Sequence, residues 1–244
     1  MPVSIPQDIT RTLHALKAHG FDARFAASGA EAKSVILDLI PQESAVGIGD
    51  SVTLRQIGAI DDLVKRGSRV INPFTPELTG TSKNRKTFIG LCRQTLTADV
   101  FLTGANAVTQ DGQIMSVDYA GNRVAGMIFG AEHIVIVIGR NKITRDIDEA
   151  RIRIKNVITP VHAINKGRKT PCTITGKCSD CESPERICGV TVILERKLAH
   201  FDYTVILVNE DLGLGWDPDW DQNRIEAIKS AYLHNSWSFG LQGG

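Results

Sequence analysis

Four of the chain's five cysteines fall within PCTITGKCSDCESPERIC, residues 171–188. Their spacing is Cys172-x5-Cys178-x2-Cys181-x6-Cys188. Four soft thiolates this close together can close on a soft metal at little cost in loop entropy, as a tetrathiolate zinc or an iron–sulfur cluster requires. Cys178 and Cys181 form a C-x2-C pair, and Gly176 supplies backbone freedom for the wrap. The flanking intervals match neither the paired knuckles of zinc sites nor ferredoxin spacing, so spacing alone leaves cluster and zinc open, with a redox disulfide as a third reading. His162, ten residues before Cys172, reads as an ordinary helix-end histidine. Cys92 shares a four-residue rhythm with Phe88 and Leu96 and reads as a core residue.

A second set of polar residues surrounds glycines at strand ends. VGIGDSVTLRQIG places Gly47, Gly49, Asp50 and Ser51 between a strand and a helix. Glycines let backbone approach a ligand, and a helix start offers unpaired N–H groups, which suits a phosphate or carboxylate. The bland alternative is a tight turn with Asp50 or Ser51 as the helix cap. TGANAVTQDGQIMSVDYAGNR adds Asn106, Asp118, Asn122 and Arg123, and GRNKI adds Asn141 and Lys142. Strand C-terminal ends are where open α/β sheets bind ligands.

The elements that must carry these residues alternate. Ile9, Leu13 and Leu16 line a helix stopped at Gly20; FDARFAA is a strand; Ser28 with Glu31 opens a second helix as a capping box. AVGIG is a buried strand, and Leu54, Ile57, Ile60, Leu63 and Val64 make one helix ending at Gly67. RVINPF is a strand, residues 77–97 a helix, ADVFLTG a strand, and Asp111-Gly112 the turn of a hairpin. VAGMIFG and HIVIVIG read as two strands, and Asp146 and Glu149 cap a helix running to Pro160. VTVILE and YTVILVNE are late strands, and Ile225, Ile228 and Tyr232 mark a final helix. Strands separated by amphipathic helices imply parallel pairing with right-handed crossovers. The reading is one α/β domain over residues 1–244, with a cysteine-rich segment over 160–190.

Composition narrows the function classes. Lys and Arg number 28 against 27 Asp and Glu. No overall field draws the chain to nucleic acid or anionic lipid, and KGRK at 166–169 reads as a solvated loop. No stretch approaches the ~18 apolar residues of a membrane span. The expectation is a cytoplasmic protein with reduced thiols. Trp216, Trp220 and Trp237 could form a homodimer contact or cap the core. No flavin or nicotinamide fingerprint is visible.

The run TADVFLTGANAVTQDGQIMSVDYAGNRVAGMIFGAEHIVIVIGRNKI, followed by KTPCTITGKCSDCESPERIC, resembles the LUD domain family of lactate utilization proteins, across roughly residues 5–215. The tail beyond is not typical of the family. The resemblance implies a three-layer α/β sandwich with a mixed, mostly parallel sheet, shared with ribose-5-phosphate isomerases and coenzyme A transferases. GANAVTQDGQIMSVDYAGN is similar to a stretch of the sugar-phosphate isomerases, yet Asn106 stands where those enzymes carry a catalytic Asp. Asparagine cannot serve as their general acid or base. The resemblance also tilts the cysteines toward a 4Fe–4S cluster, with zinc as the alternative. It implies a redox component of lactate or related hydroxy-acid metabolism, holding a small carboxylate or phosphorylated ligand and working with an electron-transfer partner. The rivals are a non-redox isomerase or acyl-transfer enzyme, with Asp118 or Glu132 as its carboxylate, and a ligand or redox sensor.

Overall fold

The computed structural model describes residues 4–79 and 84–236. Six strands form one sheet: β1 (Asp22–Ala26), β2 (Ala45–Ile48), β3 (Arg69–Ile71), β4 (Val100–Gly104), β7 (His133–Gly139) and β10 (Asp202–Val208). Their order is β1-β10-β7-β4-β2-β3, and every pair is parallel. The central strands are apolar on both faces, as parallel strands covered on two sides must be. Successive residues alternate between two cores. Val135 and Val137 of β7 join one, and Ile134, Ile136 and Ile138 join the other.

The first core is closed by α2 (Gly29–Leu39), α3 (Val52–Gln56) and α4 (Ala59–Lys65), through Ala32, Ile36, Leu54, Ile60 and Leu63. The second is closed by α1 (Gln7–Ala18), α7 (Asn122–Ile128) and part of a smaller sheet. Helices on both faces of a parallel sheet give the expected three-layer α/β architecture.

The smaller sheet departs from a single mostly parallel one. It comprises β5 (Ala107–Thr109), β6 (Ile114–Asp118), β8 (Ile143–Thr144) and β9 (Val190–Leu194), in the order β8-β5-β6-β9. The Asp111-Gly112 turn, with Gly112 at φ 84°, forces β5 and β6 antiparallel, and β9 pairs antiparallel with β6. The far side of this sheet carries a third core with α8 (Ile147–Arg153) and α11 (Gln222–Asn235), built on Met115, Ala150, Ile154, Trp216, Ile225 and Ile228.

Several expected elements differ. VAGMIFG is not a strand; it lies largely in α7. Gly121 turns the chain at φ 82°, and the Asp118 carboxylate accepts the Arg123 and Val124 N–H groups at 2.9 and 3.1 Å. The single helix expected over Leu54–Val64 breaks into α3 and α4 at Gly58, which is left-handed at φ 68°, and Val64 is exposed. The helix expected over 77–97 is α5 (Pro76–Thr79) and α6 (Arg85–Thr95), with part of the interval outside the described residues. The helix expected to end at Pro160 continues through a π-turn at Ile154–Ile158 into α9 (Thr159–Asn165), and Pro160, which has no N–H to donate, sits directly after that turn.

Other expectations hold. Asp146 caps α8, and Ser28 caps α2 by accepting the Glu31 N–H at 3.2 Å, while Glu31 reaches back to the Ala27 N–H at 2.8 Å. Cys92 is buried, and burial pushes its thiol up to about 11. Trp216 is buried in the third core, and Trp220 is covered by the Arg224 guanidinium at 3.6 Å, so both pack on their own chain. Trp237 lies outside the described residues. Among those residues, no helix is long and apolar enough to cross a membrane.

Candidate functional site

A cavity of about 790 Å³ opens over the C-terminal ends of the parallel strands. Asp50 and Ser51 follow β2; Ala105 and Asn106 follow β4; Lys142 follows β7; Gly213 follows β10. The crossovers of a parallel sheet bring these loops to one edge, where open α/β sheets hold ligands.

Lys142 is the most constrained polar group there. It ends a short 3-10 turn between β7 and β8 and is 6% exposed. Its Nζ donates to Thr53 Oγ1 and to the Ala105 carbonyl, both at 3.0 Å. No carboxylate pairs with it among the described residues. Burial, aided by the Arg123 charge, pushes its ammonium down to about 7. Gly213, at φ 72°, makes room for it: a Cβ there would stand 2.6 Å from Nζ. Asn141 lines no part of the cavity. It is fully buried, donates to the Gly215 carbonyl and accepts the Leu212 N–H, each at 2.9 Å. It therefore pins the loop that carries Gly213.

Asn106, Asp118, Asn122 and Arg123 are brought together. Asn106 Oδ1 accepts the Val117 N–H at 2.9 Å and an Arg123 N–H at 2.8 Å, and the same guanidinium nitrogen donates to the Val117 carbonyl at 2.7 Å. Asp118 accepts three backbone N–H groups, those of Tyr119, Arg123 and Val124. A carboxylate so engaged acts as a helix cap. Glu132 is exposed and outside the cavity lining. Of the two carboxylates an isomerase-type reading offered, Asp118 lines the cavity but is engaged with backbone N–H groups, and Glu132 lies outside it.

The glycine turn after β2 divides. Gly47 and Gly49 do not line the cavity. A Cβ on Gly47 would lie 2.5 Å from the Thr95 carbonyl, and one on Gly49 would lie 2.6 Å from Thr103 Oγ1. They serve close packing. Asp50 and Ser51 do line the cavity. Ser51 caps α3, accepting the Leu54 N–H at 3.4 Å, and Asp50 accepts from Arg55 at 3.1 Å.

Sequence reasoning missed part of the wall. KGRK is not a uniformly solvated loop: Lys166 is 7% exposed, and burial pushes its ammonium down to about 8. Lys166 and Arg168 both line the cavity. His162 does as well, and its Nδ1 is hydrogen-bonded to the Tyr232 hydroxyl of α11. Burial pushes His162 down to about 4, so the ring is neutral near pH 7. The described lining carries the cations Arg85, Arg123, Lys142, Lys166 and Arg168 against two carboxylates, Asp50 and Asp118. The excess positive charge suits an anion.

The cysteines have other neighbours. Cys172, in α10 (Pro171–Thr175), is buried, with its sulfur 3.2 Å from Thr170 Oγ1. Cys178 is held by its N–H on Asn156 at 3.1 Å. Arg186 clamps the Cys181 and Cys188 carbonyls at 2.8 and 3.3 Å. All four are free thiols. Four thiols on one short segment suit a soft metal chemically. Among the described residues, no three His, Cys, Asp or Glu side chains are placed to hold a metal ion.

Comparison with solved structures finds a DUF162 family protein from Deinococcus radiodurans at TM-score 0.48 and 14% identity, covering 85% of this chain and all (100%) of that one. It also finds ribose 5 phosphate isomerase A from Neisseria gonorrhoeae at TM-score 0.28 and 16% identity, covering 62% of this chain and 57% of that one. A search of curated proteins returned no match. The LUD domain matches over residues 9–208, which takes in the parallel sheet, the Lys142 and Arg123 loops and the cysteine segment; the chain belongs to the LUD domain family.

Proposed function

We propose that this protein binds a small anionic molecule, a carboxylate or a phosphate ester, over the ends of β2, β4 and β7, with Lys142 and Arg123 as its anchors. The observation that carries this reading is Lys142. Its ammonium is buried among neutral oxygens, with a guanidinium as its charged neighbour. Burying a charge without a counter-charge is costly, and an anion entering the cavity would supply one. An anion beside Lys142 raises its proton affinity, so binding takes up a proton and tightens as pH falls from 8 toward 6.

The test is a thermal-shift and calorimetric panel of lactate, pyruvate, glycolate, their phosphate esters and inorganic phosphate. At least one member should bind with proton uptake, and Arg123→Gln should weaken it ~10-fold or more, as loss of a charged hydrogen-bond partner does. Equal binding by Arg123→Gln, or no binding by any member, would contradict the reading.

A redox reading is favoured by a separate observation. Ile187, between Cys181 and Cys188, lines the cavity, so the thiol segment borders it. In this reading the protein is a component of lactate or related hydroxy-acid metabolism, the family's association. Cys172, Cys178, Cys181 and Cys188 would hold a 4Fe–4S cluster, or zinc in the alternative, after the segment closes around it. Such a cluster would relay single electrons to a partner protein. Anaerobic purification with iron, acid-labile sulfide and zinc analysis tests it. Stoichiometric iron and sulfide, lost in cysteine-to-serine variants, would support the cluster. Zinc without sulfide would make the segment a structural staple.

A further inference from the structure

We propose that Lys142 captures carbonyl compounds covalently, condensing with the aldehyde or 2-oxo group of a small anion held in the cavity. The proposal rests on the anion-binding reading and goes beyond it. Three observations point to a nucleophile and not merely a point charge.

The first is the amine's bonding. Its two partners, Thr53 Oγ1 and the Ala105 carbonyl, are both oxygens, and a neutral amine can donate one N–H to each. That leaves its lone pair uncommitted. The second is the packing. Gly213 closes against the amine with bare backbone, so no side chain from that loop shields it, and the residue lines the cavity. The third is the charge environment. The ionisable groups lining the cavity are Asp50 before α3, Arg85 of α6, Asp118, Tyr119 and Arg123 around the start of α7, His162 and Lys166 at α9, Arg168, and Tyr232 of α11. Of these, Arg123 acts on Lys142 and works against the ammonium, in the same direction as burial. A solvated lysine with pKa ≈ 10.4 is almost wholly protonated at neutral pH, whereas one desolvated beside a cation is an activated nucleophile.

The step balances without an oxidant or a second reactant. The lysine lone pair attacks the carbonyl carbon, a C–N bond forms, and the carbonyl π pair moves to oxygen. A proton passes from nitrogen to that oxygen. The nitrogen's second proton then goes to the hydroxyl, which leaves as water while the C=N bond forms. Amine and carbonyl become imine and water. Arg123 holds the acid group beside the reacting carbon.

The test uses two probes on the full chain: pyruvate, a ketone with a carboxylate, and pyridoxal phosphate, an aldehyde with a phosphate. Each is incubated with cyanoborohydride, followed by intact mass and peptide mapping. One reduced adduct per chain is expected, mapped to Lys142, blocked by inorganic phosphate and decreasing as pH falls from 9 toward 6. Lys142→Arg should lose the adduct at least tenfold. Wild-type mapping and phosphate protection keep the test decisive if a variant folds poorly. No adduct at Lys142 with either probe would overturn the proposal, as would labelling confined to Lys166 or surface lysines. If a panel anion still binds by calorimetry in that case, the imine fails alone; if none binds, the anion-binding reading fails with it.

Discussion

Lys142 carries a signature that can be measured without knowing any ligand. Its ammonium stands at about 7 in the folded chain, far below an unfolded lysine. Between those two values the unfolded state binds more protons, so this residue makes stability rise with pH; below pH 7 its penalty is constant and full. Lys142→Met keeps the stem and removes the titration. The variant should gain on wild type at pH 6, by on the order of 5 kcal/mol, and lose that gain as pH approaches 10. Denaturant unfolding at the two pH values checks it; a pH-independent difference would show that the amine is not desolvated.

At this scale the sequence was partly legible. Asp118, Arg123 and Lys142 stood out as polar residues beside glycines at strand ends, and all three line the cavity. Thr53 and Gly213 did not stand out, and Tyr232 stood out only as a residue of the final helix's apolar face. Each matters only through a partner distant in the chain, and no local spacing encodes that.

Elements were legible where period and caps agreed. Ser28 and Asp146 cap helices, and Asp111-Gly112 turns a hairpin. They were misread where a tertiary contact overrode the pattern. The apolar run VAGMIFG has strand composition, but the Asp118 carboxylate at its start organises a helix, and Val124 and Met127 turn to the core. The glycine turn after β2 is the other case. Its place between strand and helix suggests a ligand-facing Gly47, but the structure gives its space to the last turn of α6. Gly47→Ala should therefore destabilise the fold by ~1–3 kcal/mol, the cost of overpacking against a backbone that cannot yield. Thermal and denaturant unfolding check this; a variant of wild-type stability with impaired anion binding would restore the ligand-facing role.

The alternation of strands and helices made the three-layer plan readable for the molecule as a whole. The second sheet was not readable, because β9 and β10 have similar composition and only their partners place them in different sheets. The tail was likewise opaque. The family match ends at residue 208, yet α11 seals the third core with Ile225 and Ile228 and brings Tyr232 to the cavity. Each such buried side chain contributes ~2–5 kcal/mol, against a total stability of ~5–15 kcal/mol. A chain cut after residue 221 should therefore fail to accumulate as a folded monomer, read by circular dichroism and size exclusion. A soluble, cooperatively melting truncation would make α11 an appendage.

The central claim is that Lys142 and Arg123 anchor a small anion. Its most direct test is a crystal structure of the protein grown with the tightest-binding member of the carboxylate and phosphate panel. The account predicts the acid group within hydrogen-bonding distance of the Arg123 guanidinium and the Lys142 side of the cavity, over the ends of β4 and β7. An acid group bound elsewhere, with those two side chains keeping their internal partners and the cavity holding only water, would contradict it.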